Sequence, residues 1–259
     1  MKRLAIIDWG IGGVSIYKLV KEQLGDIPVT YFSDTGVTPY GKMSQPELVS
    51  RLNSVIAFLR SRGVTHIVIG CNAASTAIPF LTHHGITVEG VIDSAVETTA
   101  KLKPTRLGLI GGRRTVISGV YRRAFAAKEI EVKQRVAQPL SGLIESGDTS
   151  SSKVHDYAKS VLAPLRNCSH ILLACTHYPA ILPILQRHVS SETVFIDPAA
   201  DLVKKIARWK LNGIGDDLFL TSGDTRAMKT AAKSAFGVEI ERVDSVPAHS
   251  LFANPKPTI

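Results

Sequence analysis

The chain has 259 residues, 44% of them hydrophobic and 20% charged, the composition of a globular protein with room for one large domain or two small ones. No apolar run approaches the roughly 18 residues that cross a bilayer, and residues 1–8 meet a charge too soon to form a secretory leader. Lys and Arg outnumber Asp and Glu by 31 to 22, a net charge of +9, but they are scattered, which argues against a nucleic-acid surface. We therefore expect a cytoplasmic protein with no membrane partner. Three cysteines without a Cys-x-x-Cys pair argue against a disulfide framework and against a structural zinc site.

In chain order, residues 4–7 are a short apolar run ending at Asp8, and they predict a buried strand. The turn Gly10-Ile11-Gly12-Gly13 follows, but Ser15 breaks the Gly-x-Gly-x-x-Gly dinucleotide pattern. We read this turn as one that lets the backbone approach a small ligand. Charged positions at helical spacing predict a helix over 44–62. A second buried run, 67–69, leads into Cys71 and the small, polar stretch Asn72-Ala73-Ala74-Ser75. A third run, 107–110, ends in Gly111-Gly112. Residues 156–166 read as a helix, and a fourth run, 171–173, leads into Cys175-Thr176-His177-Tyr178-Pro179. Residues 218–223 predict a further strand and turn, and 225–236 a helix. Pro255-Lys256-Pro257 reads as a loose tail. This alternation predicts an α/β protein with mostly parallel sheets covered on both faces.

The chain also repeats itself. Arg3-Leu4-Ala5-Ile6-Ile7 matches Arg106-Leu107-Gly108-Leu109-Ile110 at a displacement of 103 residues. His66-Ile67-Val68-Ile69-Gly70-Cys71 matches His170-Ile171-Leu172-Leu173-Ala174-Cys175 at 104. Two motifs with nearly one displacement indicate a duplicated unit of about 100 residues. We expect a first domain from 1–95 plus 208–259 and a second from 96–207, related by a pseudo-twofold axis. In that arrangement each domain would bring a cysteine from a strand end to a shared cleft.

Two thiols facing one carbon from opposite sides suit its inversion, one removing the α-proton and the other supplying a new one. A thiol is useful for this because a helix N-terminus or a nearby cation brings its pKa within reach. Asp8, Asp34, Glu145 and His177 are the candidate proton carriers; each carboxylate, taken singly, is more often a cap or turn residue, and His177 could instead be half of a metal site. No second ligand follows His177 at metal-site spacing, so we expect neither metal nor cofactor. Cys168 carries no motif and reads as structural.

These motifs resemble those of the glutamate racemases in the aspartate/glutamate racemase superfamily, in order and over nearly the whole chain. The segments that carry the resemblance are Asp8-Trp9-Gly10-Ile11-Gly12-Gly13, Tyr31-Phe32-Ser33-Asp34-Thr35, Pro39-Tyr40-Gly41, the two cysteine motifs, Glu145-Ser146-Gly147 and Thr221-Ser222-Gly223-Asp224. The resemblance implies a cofactor-independent amino-acid racemase with Cys71 and Cys175 as acid and base. Asp8 would assist the first thiol, and His177 and Glu145 the second. It also implies substrate contacts from Asp34, Tyr40, Gly41, Asn72, Ser75 and Thr176, a homodimer, and D-glutamate supply for peptidoglycan. Three positions depart from the family pattern: Trp9 and Ala73 in the substrate-contacting set, and Gly112 in the second glycine turn. Each lacks an expected hydroxyl, which leaves open a racemase for aspartate or another amino acid, or an inactive binding protein of the same fold.

Overall fold

The computed structural model describes residues 1–82 and 85–252, so the Pro255-Lys256-Pro257 tail lies outside the described residues. Among the described residues ten strands run in chain order as β1 (Leu4–Asp8), β2 (Val29–Ser33), β3 (His66–Ile69), β4 (Thr87–Gly90), β5 (Leu107–Gly111), β6 (Val132–Val136), β7 (His170–Ala174), β8 (Val194–Ile196), β9 (Leu218–Thr221) and β10 (Asp244–Ser245). They form two sheets, one ordered β10-β9-β2-β1-β3-β4 and the other β6-β5-β7-β8. Every pairing is parallel. The four apolar runs read from the sequence are the central strands β1, β3, β5 and β7. β1 and β5 are buried along their whole length, as central strands of covered parallel sheets must be.

The repeat is visible in the register. Leu4 of β1 pairs with His66 of β3, and Leu107 of β5 pairs with His170 of β7. The order β2-β1-β3-β4 of the first sheet recurs as β6-β5-β7-β8 in the second. β9 and β10 extend the first sheet beyond β2, with Phe32 opposite Leu220. Two segments cross between the sheets: the helix Val91–Lys101 leads from β4 to β5, and the helix Ala199–Ala207 leads from β8 towards β9.

Helix ends follow local chemistry. The helix Gln45–Ser61 starts at Ser44, whose hydroxyl accepts from the Glu47 N–H while Glu47 reaches back to the Ser44 N–H, a reciprocal cap. The helix expected at 156–166 instead spans Ser152–Leu162, because Ser151 caps its start and Pro164 tightens its end into a 3₁₀ turn. One core cluster joins both sheets, with Leu4, Ile6 and Tyr31 from the first and Ile110, Ile171 and Leu173 from the second.

Candidate active site

The carboxyl ends of the strands of both sheets converge on one cavity of about 280 Å³. That is just under the range of about 300–1,000 Å³ typical of drug-sized ligands, and it suits a small metabolite. Asp8 ends β1 and Trp9 follows it, Cys71 to Ala73 follow β3, and Gly112 follows β5; Gln138 follows β6, and Cys175 to His177 follow β7. Open α/β sheets place ligands at this edge because the chain leaves each strand there and exposes loop and helix-start atoms.

Cys71 stands at the start of the short helix Asn72–Ser75. Burial pushes its thiol well above the usual value, and the charge of Asp8 adds to the shift, while the N–H groups of Ala73 and Ala74 pull the other way. The Asp8 carboxyl is itself raised, first by burial, against the charge of His177 and the hydroxyl of Thr176. Asp8 accepts from Thr176 Oγ1 at 2.9 Å and from the Trp9 N–H at 2.7 Å, so its first bond reaches across to the other sheet. On this side of the cavity, burial favours the neutral form of both groups, and the second charge is harder to form than the first.

The other side is a chain of polar contacts. Cys175 Sγ lies 3.6 Å from His177 Nδ1, and His177 Nε2 lies 2.7 Å from Glu145 Oε2. Burial alone would lower the imidazole pKa, but the hydrogen bonds and charges of Cys175 and Glu145 outweigh it and hold the ring well above the ordinary histidine value. Glu145 Oε2 also accepts from the Ile11 N–H at 2.9 Å, which fixes the carboxylate against the first glycine turn. The charge of Cys175 adds a smaller upward push on the Cys71 thiol from across the cavity.

The glycine turn plays a different part from the one expected. A Cβ on Gly10 would overlap the Glu145 carboxylate, and one on Gly12 would overlap Thr176 and His177. The glycines let the two halves approach each other; in these two turn positions the close neighbour is protein. Tyr31 holds the turn from behind, donating to the Gly10 carbonyl at 2.7 Å.

Trp9, Tyr40, Gly41, Asn72, Ala73 and Thr176 line the cavity with Asp8, both cysteines and His177. The Trp9 indole stands in its wall and donates Nε1–H to the Val37 carbonyl at 3.1 Å. Glu145 lies behind His177, outside the lining. Two other expected contacts lie elsewhere. Asp34 is buried and accepts from Arg51, from Tyr40 Oη at 2.6 Å and from Ser222 Oγ at 2.7 Å, so its carboxylate ties the Tyr40 wall to the helix Gln45–Ser61. Ser75 donates to the Ile69 carbonyl at 3.0 Å and accepts from the Val91 N–H, bracing the short helix behind Cys71.

Thr115, Gln138 and Ser141 also line the cavity and escaped the sequence reading, and so does Lys42, which continues the Pro39-Tyr40-Gly41 motif but was given no role. Gln138 follows β6, whose Val-Lys-Gln-Arg-Val sequence is that of an edge strand rather than an apolar run, and so the strand itself was hidden. The strand-end rule would have found Gln138 had β6 been seen. Among the described residues no group of three or more His, Cys, Asp or Glu side chains is placed to hold a metal ion.

The family model described as Asp/Glu/Hydantoin racemase matches residues 4–206. The chain belongs to that family. The glutamate racemase of Desulforudis audaxviator is 34% identical over 208 residues, covering 78% of this chain and 76% of that protein. The glutamate racemase of Bacillus cereus is 28% identical over 260 residues, covering 95% and 97%. Among solved structures, Francisella tularensis glutamate racemase in complex with D-glutamate superposes with a TM-score of 0.87 at 25% identity, covering 96% of this chain and 98% of that one. As a member of this racemase family the chain is an amino-acid racemase and hence an isomerase.

Proposed function

We propose that this racemase interconverts L- and D-glutamate, without a cofactor, by proton transfer between two thiols. The observation that carries the reading is that Cys71 and Cys175, at the ends of the matched strands β3 and β7, face one small cavity. With the α-carbon between the sulfurs, one thiolate takes the α-proton and the opposite thiol delivers its own proton to the other face of the carbanion. The product leaves the two sulfurs with their protonation states exchanged. Asp8 on one side, and His177 backed by Glu145 on the other, return the protons needed for the next turnover. Asn72 and Thr176 supply hydrogen bonds to the head of the amino acid, and Lys42 in the cavity wall meets the side-chain carboxylate. The same reading places the enzyme in the cytoplasm as a homodimer that supplies D-glutamate for peptidoglycan. Among the described residues no helix is long and apolar enough to cross a membrane.

Trp9 favours one second reading. Its indole occupies wall space where the family pattern has a small hydroxyl, which suits a shorter substrate such as aspartate. Incubation with L-glutamate or L-aspartate in deuterated water, without added cofactor, separates the two. We expect loss of the α-proton signal with appearance of the D-enantiomer on glutamate. Exchange on aspartate alone would transfer the assignment, and silence on both from folded protein with free thiols would sink it.

A further inference from the structure

We propose that Tyr121 is a positioning residue that turns the Asn72 side-chain amide so that its N–H₂ group faces the substrate. Tyr121 lies on the helix Val120–Ala126, which follows β5 of the second sheet, whereas Asn72 follows β3 of the first. The phenol is fully buried and donates to Asn72 Oδ1 at 2.6 Å. Asn72 is itself 3% exposed and lines the catalytic cavity, and its Nδ2 has no hydrogen-bond partner.

A primary amide carries one acceptor and one double donor, and a rotation of 180° exchanges them. Tyr121 decides between these two states. A buried phenol needs an acceptor for its O–H, and Oδ1 is the acceptor it has. Burial is the main influence that keeps the phenol protonated, so it remains a donor over the working range of the enzyme. With Oδ1 turned to Tyr121, the two N–H groups are left for a ligand. A buried donor without a partner is costly, and the group that satisfies it must bring an acceptor. An ammonium has none to offer. The inference rests on the racemase reading and deepens it: Asn72 Nδ2 addresses a carboxylate of the amino acid rather than its amine.

The bond also joins the two halves. Tyr121 reaches Asn72 only while the second sheet is closed on the first, so Asn72 is oriented only in the closed arrangement. Other side chains bridge the two halves beside the cavity, among them Thr176 to Asp8, Glu145 to Ile11, and Arg114 to Thr76 and Met43. Unlike Thr176, which is itself part of the lining, Tyr121 acts from outside the cavity and sets which face of an amide the wall presents.

The test is Tyr121→Phe, which keeps the ring and removes the donor. We expect KM for the amino acid to rise roughly tenfold, about 1.4 kcal/mol, with kcat changed by a smaller factor. In an Asn72→Ala background the same substitution should change KM by less than about twofold, since the amide it orients is gone. A readout independent of turnover is the side-chain ¹H–¹⁵N pair of Asn72 in the unliganded protein, assigned through Asn72→Asp. It should move in Tyr121→Phe. An unchanged KM in an active variant, effects that simply multiply in the double variant, or an unmoved Asn72 amide pair would each overturn the inference. If the wild-type protein exchanges no α-proton at all, the racemase reading falls instead, and the amide signal still reports on Tyr121.

Discussion

At the residue scale the two sides of the cavity are chemically unequal. Burial favours the neutral forms of Cys71 and Asp8, whereas His177 holds a proton between Cys175 and Glu145. The proposed two-thiol transfer needs such a difference, because one thiol must be loaded with a proton when the other is empty. The equilibrium sets a constraint as well: enantiomers have equal free energy in water, so any substitution must lower kcat/KM equally in both directions. Glu145→Gln tests the proposed relay. The folded-state pKa of His177 is raised above its unfolded value, so proton binding stabilises the fold. This contribution is full below about pH 6.5, and it is lost as the pH rises through the folded value. Removing the Glu145 charge takes away part of the upward pull. The gap in Tm between wild type and Glu145→Gln should be full at about pH 6 and close only as the pH rises through the raised folded value of His177. The basic limb of the rate profile should move to lower pH, with kcat at about pH 8 falling on the order of 10²-fold. A profile identical to wild type would show that His177 works without Glu145.

At the element scale the deciding features are strand ends and the turns that follow them. The apolar runs of β1, β3, β5 and β7 are legible because central parallel strands are buried on both faces. They end in Asp8 or lead into the two cysteines, and the proposed proton-transfer groups could therefore be read from the sequence. β6 was not legible, since this edge strand carries Lys, Gln and Arg between its two valines and leaves no apolar run, and Gln138 was lost with it. Asp34 shows the opposite failure. Its motif pointed to the site, but Arg51 lies seventeen residues on, and nothing in the sequence reveals that the two pair in the interior. The first glycine turn was legible as a place of close approach, though not in what approaches it. Gly12→Ala measures that approach. The backbone there tolerates alanine, since Gly12 is not among the positive-φ glycines. The added methyl would meet Thr176 and His177, which are held by Asp8 and Glu145 and have little freedom to yield. Overpacking of this kind costs about 1–3 kcal/mol, here as a seam that closes less well. We expect kcat/KM to fall at least about tenfold with a Tm loss of only about 2–10 °C. Full activity would mean that the two halves do not need this contact.

At the scale of the whole molecule, duplication gives two sheets of the same strand order, and the fold adds what neither copy could supply alone. β9 and β10 return to lengthen the first sheet, and the helices Val91–Lys101 and Ala199–Ala207 carry the chain between the copies. Two repeated sheets could in principle melt separately, as domains joined by a polar interface do. The core argues otherwise, because one apolar cluster takes in Ile6 and Tyr31 of the first sheet together with Ile110 and Leu173 of the second. Exposing either half alone would open that cluster to water at about 25 cal/mol for each Å² of apolar surface. Calorimetry should therefore show one unfolding transition whose calorimetric and van't Hoff enthalpies agree. A ligand held between the halves adds to the same transition. At about 100 times its Kd, D-glutamate contributes about 2.7 kcal/mol, which raises the Tm of a chain this size by about 5–10 °C. The melt should stay single as it moves. Two transitions, with only one of them displaced by the amino acid, would mean that the copies kept separate cores and that the cavity belongs to one of them.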